Sequence, residues 1–361
     1  MKTCLFPGQG SQAKGMGRHL FERFPDMTAQ ADQVLGYSIR ELCVDDPRQQ
    51  LNQTLYTQPA IFVVSALAWY EHLASHGKPD FVAGHSLGEF NALLAAESFG
   101  FETGLRLVRK RAELMSEAAD GAMAAVLNLG ATDIEAILRD HGLDQIDIAN
   151  LNAPTQTVIS GAREQMAQAE RLLERGKARI IPLNTSGAFH SRFMAPARRQ
   201  FEAFLAGYTF APLTMPVVAN VTALPYEAGA IAANLGRQIT DTVRWHETIA
   251  YLLALDAQQA MVEVGHGEVL SNLLKKIRSE LAVTMAAAPD PASAVMPDSS
   301  PAERVRNWNL RHPVGTRVRS SIISDATLAT RTEAVLLFQH RPAVYLDGYQ
   351  GYFDLDELTP A

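Results

Sequence analysis

Apolar residues fall in short runs separated by longer amphipathic stretches, a strand-then-helix alternation that predicts an α/β chain. Thr3 to Phe6 reads as a strand that breaks at Pro7. From about Gly15 to Leu73 the pattern is mainly helical, and Gln58-Pro-Ala-Ile-Phe-Val-Val-Ser-Ala-Leu-Ala-Trp69 is so apolar that it predicts a buried helix. Phe81 to Ala83 predicts a buried strand and Phe90 to Ala96, rich in Ala and Leu, a helix, so the residues between must turn one into the other. Glu102 to Glu117 is a further helix with an apolar stripe of Leu107, Val108, Leu114 and Met115. Arg111 shares that stripe, four residues from both Leu107 and Met115, whereas Arg106, Arg109 and Lys110 do not share it so fully.

The pattern changes at Ala122. Met123 to Leu129 reads as strand, Asp133 to His141 as helix, Ile146 to Asn150 and Gln156 to Ser160 as strands, Arg163 to Arg175 as helix, and Arg179 to Asn184 as strand. That β-α-β-β-α-β order is the split ferredoxin-like unit. It reads as an insertion, because the first pattern resumes with a strand at Met215 to Val221, a helix to about Leu253, a strand at Ala260 to Val264 and a helix at Glu268 to Arg278. The expected division is a large subdomain of residues 1–121 and 191–284, a small subdomain of 122–190, a linker of 285–304 rich in Ala, Pro, Ser and Asp, and a small β-barrel-like module of 305–361.

A chain of 361 residues with 47% hydrophobic and 20% charged residues has an ordinary globular composition. Its net charge of −7 argues against non-specific nucleic-acid binding. Two cysteines, Cys4 and Cys43, offer no disulfide framework and suit a reducing compartment. No run approaches the ~18 apolar residues of a membrane span, and Met1 to Pro7 is too short for a signal segment, so a cytoplasmic protein is expected.

The candidate chemistry gathers at the strand-to-helix turn, Gly84-His-Ser-Leu-Gly88. Glycines two before and two after Ser86 permit a tight elbow that exposes the hydroxyl at a helix start, where free backbone N–H groups favour a developing oxyanion. Gly8-Gln9-Gly10 after the first strand is either a plain turn or a close-approach loop able to donate to an oxyanion. Its spacing is not a dinucleotide fingerprint. Arg111, if it points inward, must be paired, either with a structural carboxylate or with one on a substrate. His190 stands where the small module ends, a place where clefts form, and is either a catalytic base or a core histidine. Asp45 and Asp46 read as a solvated loop.

Phe6-Pro-Gly-Gln-Gly-Ser-Gln12, Gly84-His-Ser-Leu-Gly88, Arg111, Asn150-Leu-Asn-Ala-Pro154 and Ala188-Phe-His190 occur in the order and spacing of one family. The chain resembles malonyl-CoA:acyl carrier protein transacylases over residues 1 to about 280, and more closely the free-standing acyltransferases that serve trans-acyltransferase polyketide synthases. The resemblance implies a hydrolase-like large subdomain with a parallel sheet. It implies Ser86 as nucleophile, His190 as its base, the main-chain carbonyl of Gln238 orienting that histidine, and the N–H groups of Gln9 and Leu87 as oxyanion hole. Arg111 would hold the malonyl carboxylate, and Phe189 would leave little room for an α-methyl group. Malonyl-CoA and an acyl carrier protein are the implied substrates, with no cofactor and no metal, and a monomer is expected.

Gly187 departs from the histidine that malonyl-specific modular domains often carry, and His266 from a common proline. Carrier proteins being acidic, Arg192, Arg198, Arg199, Lys275 and Lys276 could form a docking lip, or equally a solvated face. The rival reading is a serine hydrolase, either an editing enzyme of the same fold or a patatin-like lipase, for which Asp120 in Asp-Gly-Ala would be the acid although it follows Ser86 too closely.

Overall fold

Thr3 to Phe6 is buried throughout because it is an inner strand of a parallel sheet, covered on both faces. In chain order, the computed structural model runs β1 (Lys2–Phe6), α1 (Arg18–Arg23), α2 (Pro25–Leu35), α3 (Ile39–Val44), α4 (Thr54–His76), β2 (Phe81–Gly84), α5 (Gly88–Ala95) and α6 (Phe101–Glu117). Next come β3 (Ala122–Leu127), α7 (Ala131–Asp140), β4 (Ile146–Ala153), β5 (Gln156–Gly161), α8 (Arg163–Leu173) and β6 (Arg179–Pro182). The first pattern returns with α9 (Ala195–Leu205), β7 (Val217–Val218), α10 (Ile231–Arg237), α11 (Trp245–Leu255), β8 (Ala260–Glu263) and α12 (Val269–Ala287). The structure describes residues 1–118, 121–174, 178–287, 301–320, 328–337, 341–349 and 352–360, which fall in two units, Met1–Ala287 and Ala288–Ala361.

In the first unit the parallel sheet has the order β7-β2-β1-β8, with Phe6 opposite Gly84 at the strand ends that carry the site. The expected α/β architecture with a parallel sheet is what the chain adopts. The second sheet is antiparallel in the order β4-β5-β3-β6, the arrangement of a ferredoxin-like unit, with a bulge-like shift in β4. Strand β4 also reaches back to the first layer. Leu151 N–H donates to Val243 O at 2.9 Å and Val243 N–H to Ala149 O at 2.9 Å, tying the inserted sheet to the loop before α11.

Helix α4 lies in the large core with Ile61, Phe62, Val63 and Val64 all buried, against Phe90 and Leu93 of α5 and Leu105 and Val108 of α6. Each fully buried Leu or Phe contributes about 1.5–3 kcal/mol, so this core holds the elbow rigidly from below. Cys4 and Cys43 are buried and unbridged. Among the described residues no helix is long and apolar enough to cross a membrane.

The second unit opens with α13 (Pro301–Arg311), which begins in the last residues of the stretch read as a linker and runs into the module read as β-rich, while α12 runs on to Ala287; residues 288–300 lie outside the described residues. Composition hid α13 because its stripe is only Val305 and Trp308, three apart, which pack on the unit's own small core. After it come β9 (Arg317–Ser320), β10 (Leu328–Ala329), β11 (Val335–Leu337), β12 (Arg341–Tyr345), β13 (Tyr352–Asp354) and β14 (Leu358–Pro360). Among the described residues these form two three-stranded antiparallel sheets, β10-β9-β14 and β11-β12-β13, rather than one barrel.

Candidate active site

Between β2 and α5 the backbone turns so sharply that Ser86 takes φ 50°, in the left-handed region. A non-glycine residue there costs roughly 1–2 kcal/mol, a strain that surrounding structure must hold. The flanking glycines are sterically required. A Cβ on Gly84 would lie 2.0 Å from the Gly88 carbonyl, and one on Gly88 would lie 2.0 Å from Phe6 O. The elbow is therefore pressed against the end of β1, which brings the Pro7-Gly8-Gln9 loop beside it.

Asn220 braces the turn from its other side. Its Oδ1 accepts from Ser86 N–H at 2.7 Å and its Nδ2 donates to Gly84 O at 2.6 Å. His190 also has φ 54°, so both members of the pair are strained. Ser86 Oγ and His190 Nε2 are 2.9 Å apart. On the far side of the ring, Nδ1 lies 2.7 Å from the main-chain carbonyl of Gln238, at the C-terminal cap of α10, where helix carbonyls lack internal partners. A carbonyl can only accept, so Nδ1 carries the proton and Nε2 is left free to take one from Ser86.

Arg111 is the second centre. It is 1% exposed, and its guanidinium donates to Gln58 Oε1 at 2.7 Å, Gln238 Oε1 at 3.0 Å and Ser86 Oγ at 3.0 Å, while Nε has no partner. All three acceptors are neutral. Among the described residues no carboxylate forms a salt bridge with it, and its other neighbour is the face of Phe90, 5.7 Å from the ring centre. Burial lowers the guanidinium to about 10, opposed by Glu89, so it stays cationic at neutral pH. His190 is pushed down to about 3, first by burial and then by the Arg111 charge.

Glu89, one helical turn past Ser86, is also 1% exposed and accepts from Tyr226 OH at 2.6 Å, Asn220 N–H at 3.0 Å and Gln238 Nε2. Burial pushes its carboxyl up to about 7 against those hydrogen bonds and the Arg111 charge. His85, next to the nucleophile, lies 2.8 Å from Asn152 Oδ1 of β4 and sits edge-on to Trp245.

Ser86, His190, Gln238 and Arg111 are thus brought together. Leu87 is fully buried at the start of α5, and among the described residues neither its N–H nor that of Gln9 has an acceptor. Phe189 is buried in the main core beside His190. A Cβ on Gly187 would lie 2.1 Å from Ala118 O, so this chain cannot carry the histidine of modular relatives there. Gly187→Ala should lower stability by about 1–3 kcal/mol in urea unfolding, since backbone must move. Much of the basic lip is neutralised. Arg192 pairs with Asp147, Arg198 with Glu202 at 2.7 Å and Lys276 with Glu280 at 2.8 Å, whereas Arg199 and Lys275 are exposed without a carboxylate partner among the described residues. Asp120 lies outside the described residues.

Gln58, Glu89, Asn220 and Tyr226 were not singled out from sequence as site residues. For the first two there was a usable signal: each is polar at the head of an otherwise apolar helix. A cleft of about 1570 Å³, lined in part by Asp147, Ile148, His190, Thr242 and Arg244, opens between β4 and the loop before α11 and reaches the histidine.

The chain matches the model of the acyl transferase domain over residues 3–303. It is 50% identical over 283 residues to a polyketide biosynthesis malonyl CoA-acyl carrier protein transacylase of Bacillus velezensis, covering 78% of this chain and 98% of the relative. Among solved structures it is similar to a malonyl CoA-acyl carrier protein transacylase of Burkholderia pseudomallei, with TM-score 0.76 and 55% identity over 78% of this chain and 98% of the other. It is also similar to a malonyl-transacylase solved in complex with the acyl-carrier protein of a type II polyketide synthase, with TM-score 0.73 and 35% identity over 77% and 93% of the two chains. With its strained serine, its buried arginine and these relatives, the chain belongs to the acyl transferase domain family.

Proposed function

We propose that the protein moves a malonyl group from malonyl-CoA to the phosphopantetheine thiol of an acyl carrier protein, and that it serves a polyketide synthase lacking an acyltransferase of its own. The observation that carries this reading is Arg111: a buried cation with only neutral acceptors, 3.0 Å from Ser86 Oγ, is a site for an acyl group that brings its own carboxylate.

Ser86 Oγ attacks the thioester carbonyl while His190 Nε2 takes its proton. The carbonyl oxygen becomes an oxyanion received by the N–H groups of Gln9 and Leu87. The tetrahedral carbon then releases CoA sulfur, which recovers the proton from His190, and a malonyl-serine ester remains. A carrier-protein thiol entering by the cleft gives its proton to His190 and attacks the ester; the Ser86 oxygen leaves, takes that proton back from His190, and the carrier departs malonylated. The malonyl carboxylate has a second effect. It offsets the Arg111 charge that holds His190 low, so the correct donor strengthens its own base.

Phe189 beside the base leaves little space for an α-methyl group, although one methyl discriminates by only ~1–3 kcal/mol. The protein acts in the cytoplasm as a monomer, without a cofactor. A hydrolase reading gains no support from His190, whose Nδ1 partner is a main-chain carbonyl and not an acid. Intact-mass measurement after exposure to malonyl-CoA, then to a holo carrier protein, tests the proposal: a malonyl adduct on Ser86 should move to the carrier. An adduct that only hydrolyses would defeat it.

A further inference from the structure

Glu89 takes no part in the steps above, yet its buried carboxylate gathers Tyr226, Asn220 and Gln238 directly behind the nucleophile. Resting on the transfer reading, we propose that Glu89 is a positioning and specificity residue: it fixes which way the Gln238 amide points, and through that amide aims Arg111 at the substrate carboxylate and braces Ser86.

The argument is one of donors and acceptors. An ionised carboxylate can only accept, so the end of Gln238 facing Glu89 must be its NH2 group. The same NH2 donates to Ser86 O at 2.8 Å. Oε1 is thereby turned toward Arg111 Nη2 at 3.0 Å. Reversed, the amide would set donor against donor at Arg111 and acceptor against acceptor at both Glu89 and Ser86 O. All three neighbours ask for the same orientation, and the carboxylate supplies the charge-assisted contact among those to the NH2 group, which is the strongest hold on it. The carboxylate also holds Asn220 by its backbone N–H while the Asn220 side chain spans Gly84 O and Ser86 N–H across the elbow. Glu89, Gln238, Arg111 and Asn220 are all buried, with Ser86 and Tyr226 half-buried at the edge of the group, so little water is at hand to relax a wrong orientation of the amide.

The charged or titratable groups that act on Glu89 are Arg111 on α6 and Tyr226 before α10; across the site, Arg111 and His85 act on His190. Burial lowers the basicity of both histidines, His190 to about 3, and Arg111, at about 10, keeps its charge. Glu89, near 7, is the member whose charge changes around neutral pH. Its ionised form exists above that value, so the arrangement is complete at higher pH and is lost as pH falls and the carboxyl gains a proton to donate.

Rapid-quench intact mass on the full chain, with malonyl-CoA and separately acetyl-CoA from about pH 5 to 9, reads this directly. Glu89→Gln should slow malonyl acylation about 10–100-fold, slow acetyl acylation less, lower the malonyl-to-acetyl ratio about tenfold and flatten the acid limb. Glu89→Asp should recover part of the ratio. Tyr226→Phe removes a hydrogen bond to the ionised form and should move the acid limb to higher pH. An unchanged ratio and acid limb in Glu89→Gln, or equal losses for both donors in step with loss of folded protein, would overturn the proposal. If Glu89→Gln does not fold, Tyr226→Phe decides, and an unmoved limb overturns it. Wild-type protein that takes no malonyl adduct is a separate result, which removes the transfer reading itself.

Discussion

Ser86→Ala is expected to take no acyl adduct from malonyl-CoA and to lose carrier loading by on the order of 10⁴-fold or more, because the two-step route exists only through the serine ester. The loss should fall on chemistry alone. Alanine keeps the Cβ that already tolerates φ 50°, and the contacts bracing the turn, Asn220 to Ser86 N–H at 2.7 Å and Gln238 to Ser86 O at 2.8 Å, use backbone atoms the substitution leaves in place. The variant should therefore unfold within about 1 kcal/mol of the wild type, close to the usual effect of a substitution that creates no cavity. A persistent adduct on Ser86→Ala, located by peptide mapping, would mean that another nucleophile carries the acyl group.

Arg111→Ala is expected to reverse donor preference rather than abolish acylation. Losing one partner of a buried, hydrogen-bonded charge pair costs about 2–5 kcal/mol, which corresponds to roughly 30-fold to a few thousand-fold in malonyl loading. Acetyl loading should rise, for two reasons. A neutral acyl group no longer has to leave a buried cation unmatched, and His190 loses the nearby charge that, after burial, is the main cause of its depressed basicity. The measurement is the ratio of malonyl-serine to acetyl-serine after brief exposure to an equimolar mixture of the two donors. Malonyl loading that persists in Arg111→Ala without new acetyl loading would remove the guanidinium from substrate recognition.

How far the site was readable from sequence depended on how local its cause was. The elbow announced itself because its geometry is enforced within five residues, where Gly84 and Gly88 have no room for a Cβ. The inserted sheet was legible from its strand and helix order, since β3 and β5 are short, almost wholly buried runs set off by the amphipathic helices α7 and α8. α13 was missed because a stripe of two apolar residues in a charged segment carries no visible helical period until it meets the small core beneath it. The docking lip looked basic for the matching reason: the carboxylates that neutralise Arg192 and Arg198 include Asp147 and Asp241, more than forty positions away.

By itself the sequence determined a nucleophile elbow between a buried strand and helix, an inserted ferredoxin-like unit, and an arginine placed on an inward-facing stripe. It left open what that arginine meets and which of ten histidines serves the serine. Tertiary structure alone decided that His190, 104 positions from Ser86, lies 2.9 Å from its oxygen, and that Arg111 meets Gln58 and Gln238 with no carboxylate of the described chain to pair it. The reason is physical. Backbone turns are set by sterics among neighbours in the chain, whereas the partner of a buried polar group is set by whichever distant segment packing delivers to it.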